Sequence, residues 1–421
     1  MWETLRNVWR VPELRKKVLY TFFMLLIFRL VSVIPVPGLD PTVMQQAAET
    51  YDMLGLMNMM TGSALSQMTI MAMGISPYIN ASIIMQLLTI AIPALERMQK
   101  EGGEEGKKKI QQITRYVTIG LAALQAIGII GALGALKPGY QNFFGYVSIG
   151  IILAGGTAMA MWIGERITKN GIGNGISLLI FSGIIANLFN GILTTTQGIF
   201  NGTNTVGNLV VIVVTTLVIL VVVTLVDLSE RRIPVQYAKR VVGRKMYGGQ
   251  STHIPMKLLS VGVLPLIFAY SFMAFPGTII AMFGTDTGAY KWWNTYMNQS
   301  APLYLIICAL LIIAFSYFYT SITFNPVDIA KNIQQQGGHI PGIRTGTKTV
   351  EFLARTSNRL TLFAALFLAV LSTVPSVLSV WQNVAIPFGA SSILIAVSVA
   401  LETVRQVESQ LVMRNYKGFL G

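Results

Sequence analysis

The chain alternates long apolar stretches with polar ones, and ten of the apolar stretches are each about as long as a helix needs to cross a bilayer core. They run over residues 18–34, 75–92, 117–136, 146–163 and 176–193, then 209–226, 258–283, 303–324, 360–380 and 387–401. In lipid every backbone amide must find its partner inside its own segment, so all ten are expected as helices. One stretch breaks the alternation. Residues 55–74 (GLMNMMTGSALSQMTIMAMG) are Met-rich and moderately apolar, but Asn58, Thr61, Gly62, Ser63, Ser66 and Gln67 interrupt them. That is too polar to face lipid and too apolar for an ordinary external loop. A short helix tucked into the protein from the outer side fits both facts, because irregular backbone at membrane depth is tolerated only where protein or a cavity surrounds it.

Charge orients these spans. All but three of the 31 Lys and Arg residues lie in the two terminal segments and in every second loop between spans; the exceptions are Lys137, Lys291 and Arg29, the last inside the first apolar stretch. Basic residues near span ends stay cytoplasmic, so both termini and the basic loops are expected on that side. The two longest such loops, 227–257 and 325–359, are too long and too basic for simple connectors and are expected to form a docking surface. In the first, basic pairs surround an alternation of Val235 and Tyr237 with Gln236 and Ala238, which predicts an extended arm ending near Gly243. Such an arm suits acidic protein or phosphate-rich RNA.

Composition narrows the class further. A mean hydropathy of +0.61 with only 11% charged residues belongs to an integral membrane protein, and the net charge of +14 is sorted by membrane side rather than gathered into a nucleic-acid-binding domain. The single Cys308 lies in a span and excludes an intramolecular disulfide. No cleavable signal is expected. Residues 1–17 place Trp2, Leu5 and Trp9 at helical spacing with Arg6 and Arg10 on another face, which predicts a short interfacial helix.

Enzymatic signals are weak. GGEEGKKK (102–109) lacks the spacing and hydroxyl residue of a phosphate loop, and GIGNG (171–175) reads as a turn into the fifth span. His253 and His339 lie in different loops without a ligand cluster, so neither an enzyme, a metal nor a cofactor is expected. A secondary transporter built on inverted repeats is the rival class. Its coupling-ion sites need polar groups near mid-membrane, yet Glu165, Asp227 and Glu402 sit near span ends.

After the interrupted stretch comes GISPYINASIIMQLL (74–88), with Pro77 placed for a helix first turn and Ile75, Ile79 and Ile83 on one face. By itself such a stripe serves lipid contact or packing. Together with WIGERITKNGIGNGISLLIF (162–181), RRIPVQYAKR (231–240), STHIPMK (251–257) and HIPGIRTGT (339–347), however, it makes the whole chain resemble the SecY family, the central subunit of the protein-conducting channel.

The resemblance implies an all-α integral membrane fold: ten transmembrane helices in two inverted five-helix halves around a central pore, with a short re-entrant plug helix. The expected units are an interfacial segment (1–19), a first half (20–195) with the plug inside 55–74, a second half (196–408) and a cytosolic tail (409–421). The implied function is translocation of unfolded polypeptides across the membrane and lateral release of hydrophobic segments into it. Six isoleucines, Ile75, Ile79, Ile180, Ile184, Ile267 and Ile395, are implied to form the pore constriction. Stiff branched side chains there would make a waist that wets poorly and offers an ion no substitute for its hydration shell. Met59, Met60, Thr61, Gly62, Ser63, Ala64, Leu65 and Ser66 are implied as the plug.

A lateral gate is implied between spans 2 and 3 and spans 7 and 8, with Asn80, Gln86, Gln125, Ser271 and Ser316 as seam residues; packing alone would equally explain each of these five. Asn80 stands where the resemblance leads one to expect a smaller hydroxyl residue. Arg231, Arg232, Lys239, Arg240, Arg244, Lys245 and Arg344 are implied to dock a SecA motor ATPase or the ribosome. SecE-type and SecG-type small subunits and polypeptides bearing signal sequences complete the implied partners. The implied location is the plasma membrane.

Overall fold

The computed structural model describes residues 9, 11–50, 52–200, 206–237, 240–242, 245–247, 251–259, 262, 264–282, 287–297, 301–382 and 390–417. Each of the ten apolar stretches falls on a helix. In the first half these are α1 (Pro12–Val31), α4 (Ser76–Ala91), α6 (Gly103–Leu133), α7 (Phe143–Asn170) and α8 (Gly175–Phe200). Shorter helices α2 (Pro41–Thr50), α3 (Asp52–Thr61) and α5 (Pro93–Lys100) lie between them. The second half has α9 (Val206–Leu228), α10 (Leu264–Met282), α11 (Gly288–Tyr296), α12 (Pro302–Thr323), α13 (Pro326–Gln335), α14 (Thr347–Gln382) and α15 (Ala390–Lys417). Among the described residues, five helices are long and apolar enough by themselves to cross a bilayer. Counting α4 with its bent continuation gives six.

Local chemistry sets the boundaries. Proline stands in the first turn of α1, α4, α5, α12 and α13, where its missing N–H removes no helical bond. Pro93 also explains why the second span does not run straight on: the chain turns by 104° between Ser76–Ala91 and Pro93–Gln99. The GIGNG segment is a turn, as its glycines suggest. Gly173 has φ +82° and the Asn174 side-chain oxygen accepts from Ile176 N at 3.1 Å, capping α8. The opening segment differs from expectation. Residues 1–8 and 10 lie outside the described residues, and from Pro12 onward the chain is already the first turn of α1 rather than a separate helix.

The two halves meet along two seams. On one, α10 packs against α4 and α6; on the other, α8 packs against α15 and α9. Within the halves α6 lies on α7 and α4, and α14 lies on α12. At the basic end of the bundle the two long loops form one platform. Strand β1 (Glu230–Tyr237) pairs antiparallel with β4 (Ser251–Lys257) from Glu230↔Lys257 to Gln236↔Ser251. The other edge of β1 takes β5 (Gly338–His339) from the second loop. Alternation along β1 buries Ile233 and Val235 against Ala330, Ile333, Ile340 and Leu353, so the loops share a small core. Beyond it, β2 (Arg240–Val242) pairs antiparallel with β3 (Lys245–Tyr247), so extended chain stops at Val242, beside the Gly243 where the arm was expected to end.

Candidate functional site

The six isoleucines come from four helices and are all buried in one extended apolar cluster. Ile75 is the N-cap residue of α4 and Ile79 follows one turn later; Ile180 and Ile184 are a turn apart on α8; Ile267 lies in the first turn of α10 and Ile395 in the first turns of α15. None is more than 7% exposed, and all belong to one cluster of contacting buried side chains that also holds Ile83, Ala64 and Met71. Branched side chains drawn from both halves thus pack into one buried apolar region.

One side of this cluster is covered by the interrupted segment. A short helix does lie in the interrupted segment, α3, but it ends at Thr61, so of the residues expected as plug Gly62, Ser63, Ala64, Leu65 and Ser66 form turns. The cause is local: Gly62 and Ser63 have φ of +70° and +68°, which ends a right-handed helix. Asn58 organises the turn. Its carbonyl accepts from Ser63 N at 3.0 Å, Thr61 Oγ1 at 3.1 Å and Asn187 Nδ2 at 3.2 Å, while its side-chain oxygen accepts from Ser66 N at 2.9 Å. Ala64 joins the isoleucine cluster with Met60 packed at its border, whereas Leu65 points into a second apolar cluster with Ile129, Ile149 and Leu153. Met59 lies in α3.

On the other side the cluster faces a cavity of about 910 Å³. Ile79, Ile180 and Ile267 line it at the apolar end, and Lys108, Gln111, Arg115, Glu165, Arg166 and Lys169 line it toward the basic end of the bundle. Arg115 grips Glu165 with two bonds, Nε at 2.8 Å and Nη2 at 2.7 Å, which ties α6 to α7 along the wall. The polar-lined cavity and the interrupted segment both border the apolar cluster.

The proposed seam residues are spread along the contact of α4 and α6 with α10 and α12. Gln125 is buried, and both its Oε1 and that of Gln86 have no hydrogen-bond partner. Ser316 is fully buried but satisfied within its own helix, donating to Ile312 O at 2.7 Å. Asn80 and Ser271 are half-buried on α4 and α10, and no hydrogen bond joins any two of the five among the described residues. Of the basic docking residues, Arg231, Arg232 and Arg344 are exposed on the platform, and Arg232 Nε pairs with Glu230 at 2.8 Å. Arg240 and Lys245 lie on the β2–β3 ribbon; Lys239 and Arg244 lie outside the described residues.

Sequence reasoning missed the partners of the interrupted segment on α8. Ser63 Oγ donates to Asn187 Oδ1 at 2.7 Å, and a Cβ on Gly183 would strike the Met60 carbonyl oxygen, so segment and helix touch backbone to backbone. The available signal was Asn187, one of two asparagines in a largely apolar span. It also missed the partner of Arg29, whose Nη2 donates to the Ser182 carbonyl oxygen. Among the described residues no three His, Cys, Asp or Glu side chains are grouped as a metal site.

These features define a class: a multi-pass helical membrane protein in which an apolar cluster drawn from both halves borders a polar-lined cavity and a re-entrant segment. The SecY family model matches residues 69–404. The chain is 42% identical over 438 residues to the protein translocase subunit SecY of Halalkalibacterium halodurans, covering 100% of both chains. It is 38% identical over 429 residues to that of Aquifex aeolicus, again covering 100% of both. The fold is similar to a solved protein-conducting channel, with a TM-score of 0.70 at 21% identity over 94% of this chain and 92% of that one. It is likewise similar to Sec61 in the canine ribosome-channel complex, with a TM-score of 0.66 at 19% identity over 94% and 92%. The chain belongs to the SecY family, and its role is that of a protein-conducting channel subunit.

Proposed function

We propose that an unfolded polypeptide enters the 910 Å³ cavity, passes between Ile75, Ile79, Ile180, Ile184, Ile267 and Ile395, and leaves by displacing the plug at residues 59–66. The observation that supports this reading is the burial of all six side chains in one apolar cluster, three of whose members, Ile79, Ile180 and Ile267, line the cavity. An apolar waist needs no chemistry of its own. It excludes hydrated ions at rest because no side chain there replaces their water. It parts around a chain because isoleucines from four helices share no covalent or hydrogen-bonded link across the gap.

Hydrophobic segments leave sideways between α4/α6 and α10/α12, with Asn80, Gln86, Gln125, Ser271 and Ser316 along that seam. The contact of α10 with both α4 and α6 supports a seam that is shut at rest. The basic end faces the cytoplasm of a plasma-membrane protein with both termini inside, following the charge asymmetry. The two-loop platform, with Arg231, Arg232, Lys239, Arg240, Arg244, Lys245 and Arg344, receives a SecA-type motor or the ribosome. SecE-type and SecG-type subunits brace the halves from the lipid side. The chain supplies the conduit and no reaction, with the driving energy coming from partners or gradients.

A stalled secretory chain carrying a photocrosslinker tests the route, read against cysteines placed at Ile79 and Ile267 in a Cys308→Ser background. Crosslinks to both positions are expected. Crosslinks only to lipid-facing positions of α9 would overturn the route.

A further inference from the structure

Arg29 has no task in the route just described, yet it is the only Lys or Arg inside any of the ten expected apolar stretches. A charge at that depth is expensive unless its donors are satisfied. Three elements meet at its guanidinium. It belongs to α1; its Nη2 donates to the Ser182 carbonyl oxygen of α8; and it lies against Gly62 of the plug, where an added Cβ would strike both guanidinium nitrogens. Gly62 has φ +70°, so glycine there serves both the left-handed turn and the close approach of Arg29.

The location of the acceptor gives the contact its meaning. Ser182 sits on the turn of α8 between Ile180 and Ile184, two members of the isoleucine cluster. Gly183, next along, is where α8 touches the Met60 carbonyl. The carbonyl that Arg29 holds is therefore carried by the same helical turn that carries one wall of the constriction. When that wall moves outward, the carbonyl moves with it. We propose that Arg29 is a positioning residue that couples the constriction to the plug: its planar guanidinium holds the Gly62–Ser63 turn seated while Ser182 is in place, and frees it when a passing chain displaces the Ile180–Ile184 wall. A guanidinium suits the task because it is always charged and presents several donors in a fixed plane. The coupling rests on reading residues 59–66 as the plug.

The test is a set of conductance measurements on the full chain, reconstituted in planar bilayers with its small membrane subunits. Arg29→Gln removes the charge and the fork, and is expected to raise resting ion conductance about tenfold, the shift in a closed–open balance that one lost charge-assisted hydrogen bond produces. Arg29→Lys keeps the charge without the fork and should fall between the two. The deciding measurement repeats Arg29→Gln in a chain lacking residues 59–66. If Arg29 acts through the plug, the substitution adds nothing there; an equal added leak in both backgrounds means a general packing role and overturns the coupling. Deletion of 59–66 also checks the underlying reading by itself. If that deletion leaves conductance unchanged, the plug assignment fails; if it raises conductance while Arg29→Gln does not, only the coupling fails. Should Arg29→Gln not accumulate, Arg29→Lys is measured in the same two backgrounds. Added leak only where residues 59–66 are present supports the coupling, and equal added leak in both overturns it.

Discussion

The Ser63 hydroxyl donates to the Asn187 side-chain oxygen at 2.7 Å, while Asn187 Nδ2 reaches back to the Asn58 carbonyl at 3.2 Å. One amide of α8 thus holds both sides of the turn that covers the constriction. Each bond contributes about 0.5–1.5 kcal/mol net. Replacing Asn187 by Leu removes both and leaves the Ser63 hydroxyl facing an apolar group. The closed seat should weaken by about 1–3 kcal/mol, enough to move a two-state balance roughly five- to a hundredfold. Export of a reporter with a defective signal sequence should rise in Asn187→Leu cells, and Ser63→Ala should show a smaller rise. Unchanged rejection of the defective reporter in both variants would mean that these bonds do not hold the closed state.

A second expectation concerns the waist itself. Ile75 and Ile395 are each 5% exposed within the apolar cluster. A hydroxyl or amide placed there offers water a partner at the narrowest point and so favours wetting. Ile75→Asn and Ile395→Asn should each raise single-channel leak in planar bilayers, whereas Ile395→Leu, which keeps volume and polarity, should leave the seal close to normal. Equal conductance in all three variants would argue against a hydrophobic barrier at this level.

The large elements were legible because membrane depth leaves so few choices. A run of about 20 apolar residues in lipid must be helical, and ten such runs gave ten helices. The turn at Gly171–Gly175 was equally readable, since left-handed backbone at Gly173 and a capping Asn174 are local properties. The burial of Ile75, Ile180, Ile267 and Ile395 in one cluster was not. These residues are distant in sequence, and an isoleucine stripe facing a pore has the same spacing as one facing lipid. Only the resemblance to known channels singled them out. The short helix of the interrupted segment was legible in its Met-rich composition, but its end at Thr61 was not, because the turn signals at Asn58, Gly62 and Ser63 lie inside the same apolar run. Arg29 was visible as an oddity, but its partner is a backbone carbonyl, which leaves no trace in the sequence.

Gln125 offers a test of the seam between α6 and α10. It is only 6% exposed and its Oε1 has no partner, so the closed arrangement carries an unpaid polar group. An unsatisfied buried acceptor costs about 1–3 kcal/mol, and an apolar residue of similar volume removes that cost. Gln125→Leu should therefore raise the thermal unfolding midpoint of the purified protein in detergent. If the group is satisfied when the seam opens, the same change should slow membrane insertion of marginally hydrophobic segments. A midpoint that falls by several degrees would mean that the amide has a favourable role at rest.

Arg344 separates docking from folding. It is exposed on the platform between Gly342 and Gly346, whose φ values of +79° and +94° fix the loop, and its carbonyl accepts from Thr349 Oγ1 at 3.0 Å. The backbone is thus held by bonds that do not involve the guanidinium. Reversing the charge should then change stability by no more than about 0.5 kcal/mol, the usual range for an exposed side chain, but replace attraction to an acidic partner by repulsion. Arg344→Glu should lower post-translational export several-fold while the protein accumulates normally in the membrane. Thr349→Val, which removes the hydroxyl bonded to the loop and keeps every charge, should show the opposite pattern of reduced accumulation with export per molecule preserved. Normal export in Arg344→Glu cells at normal protein levels would remove Arg344 from the docking surface.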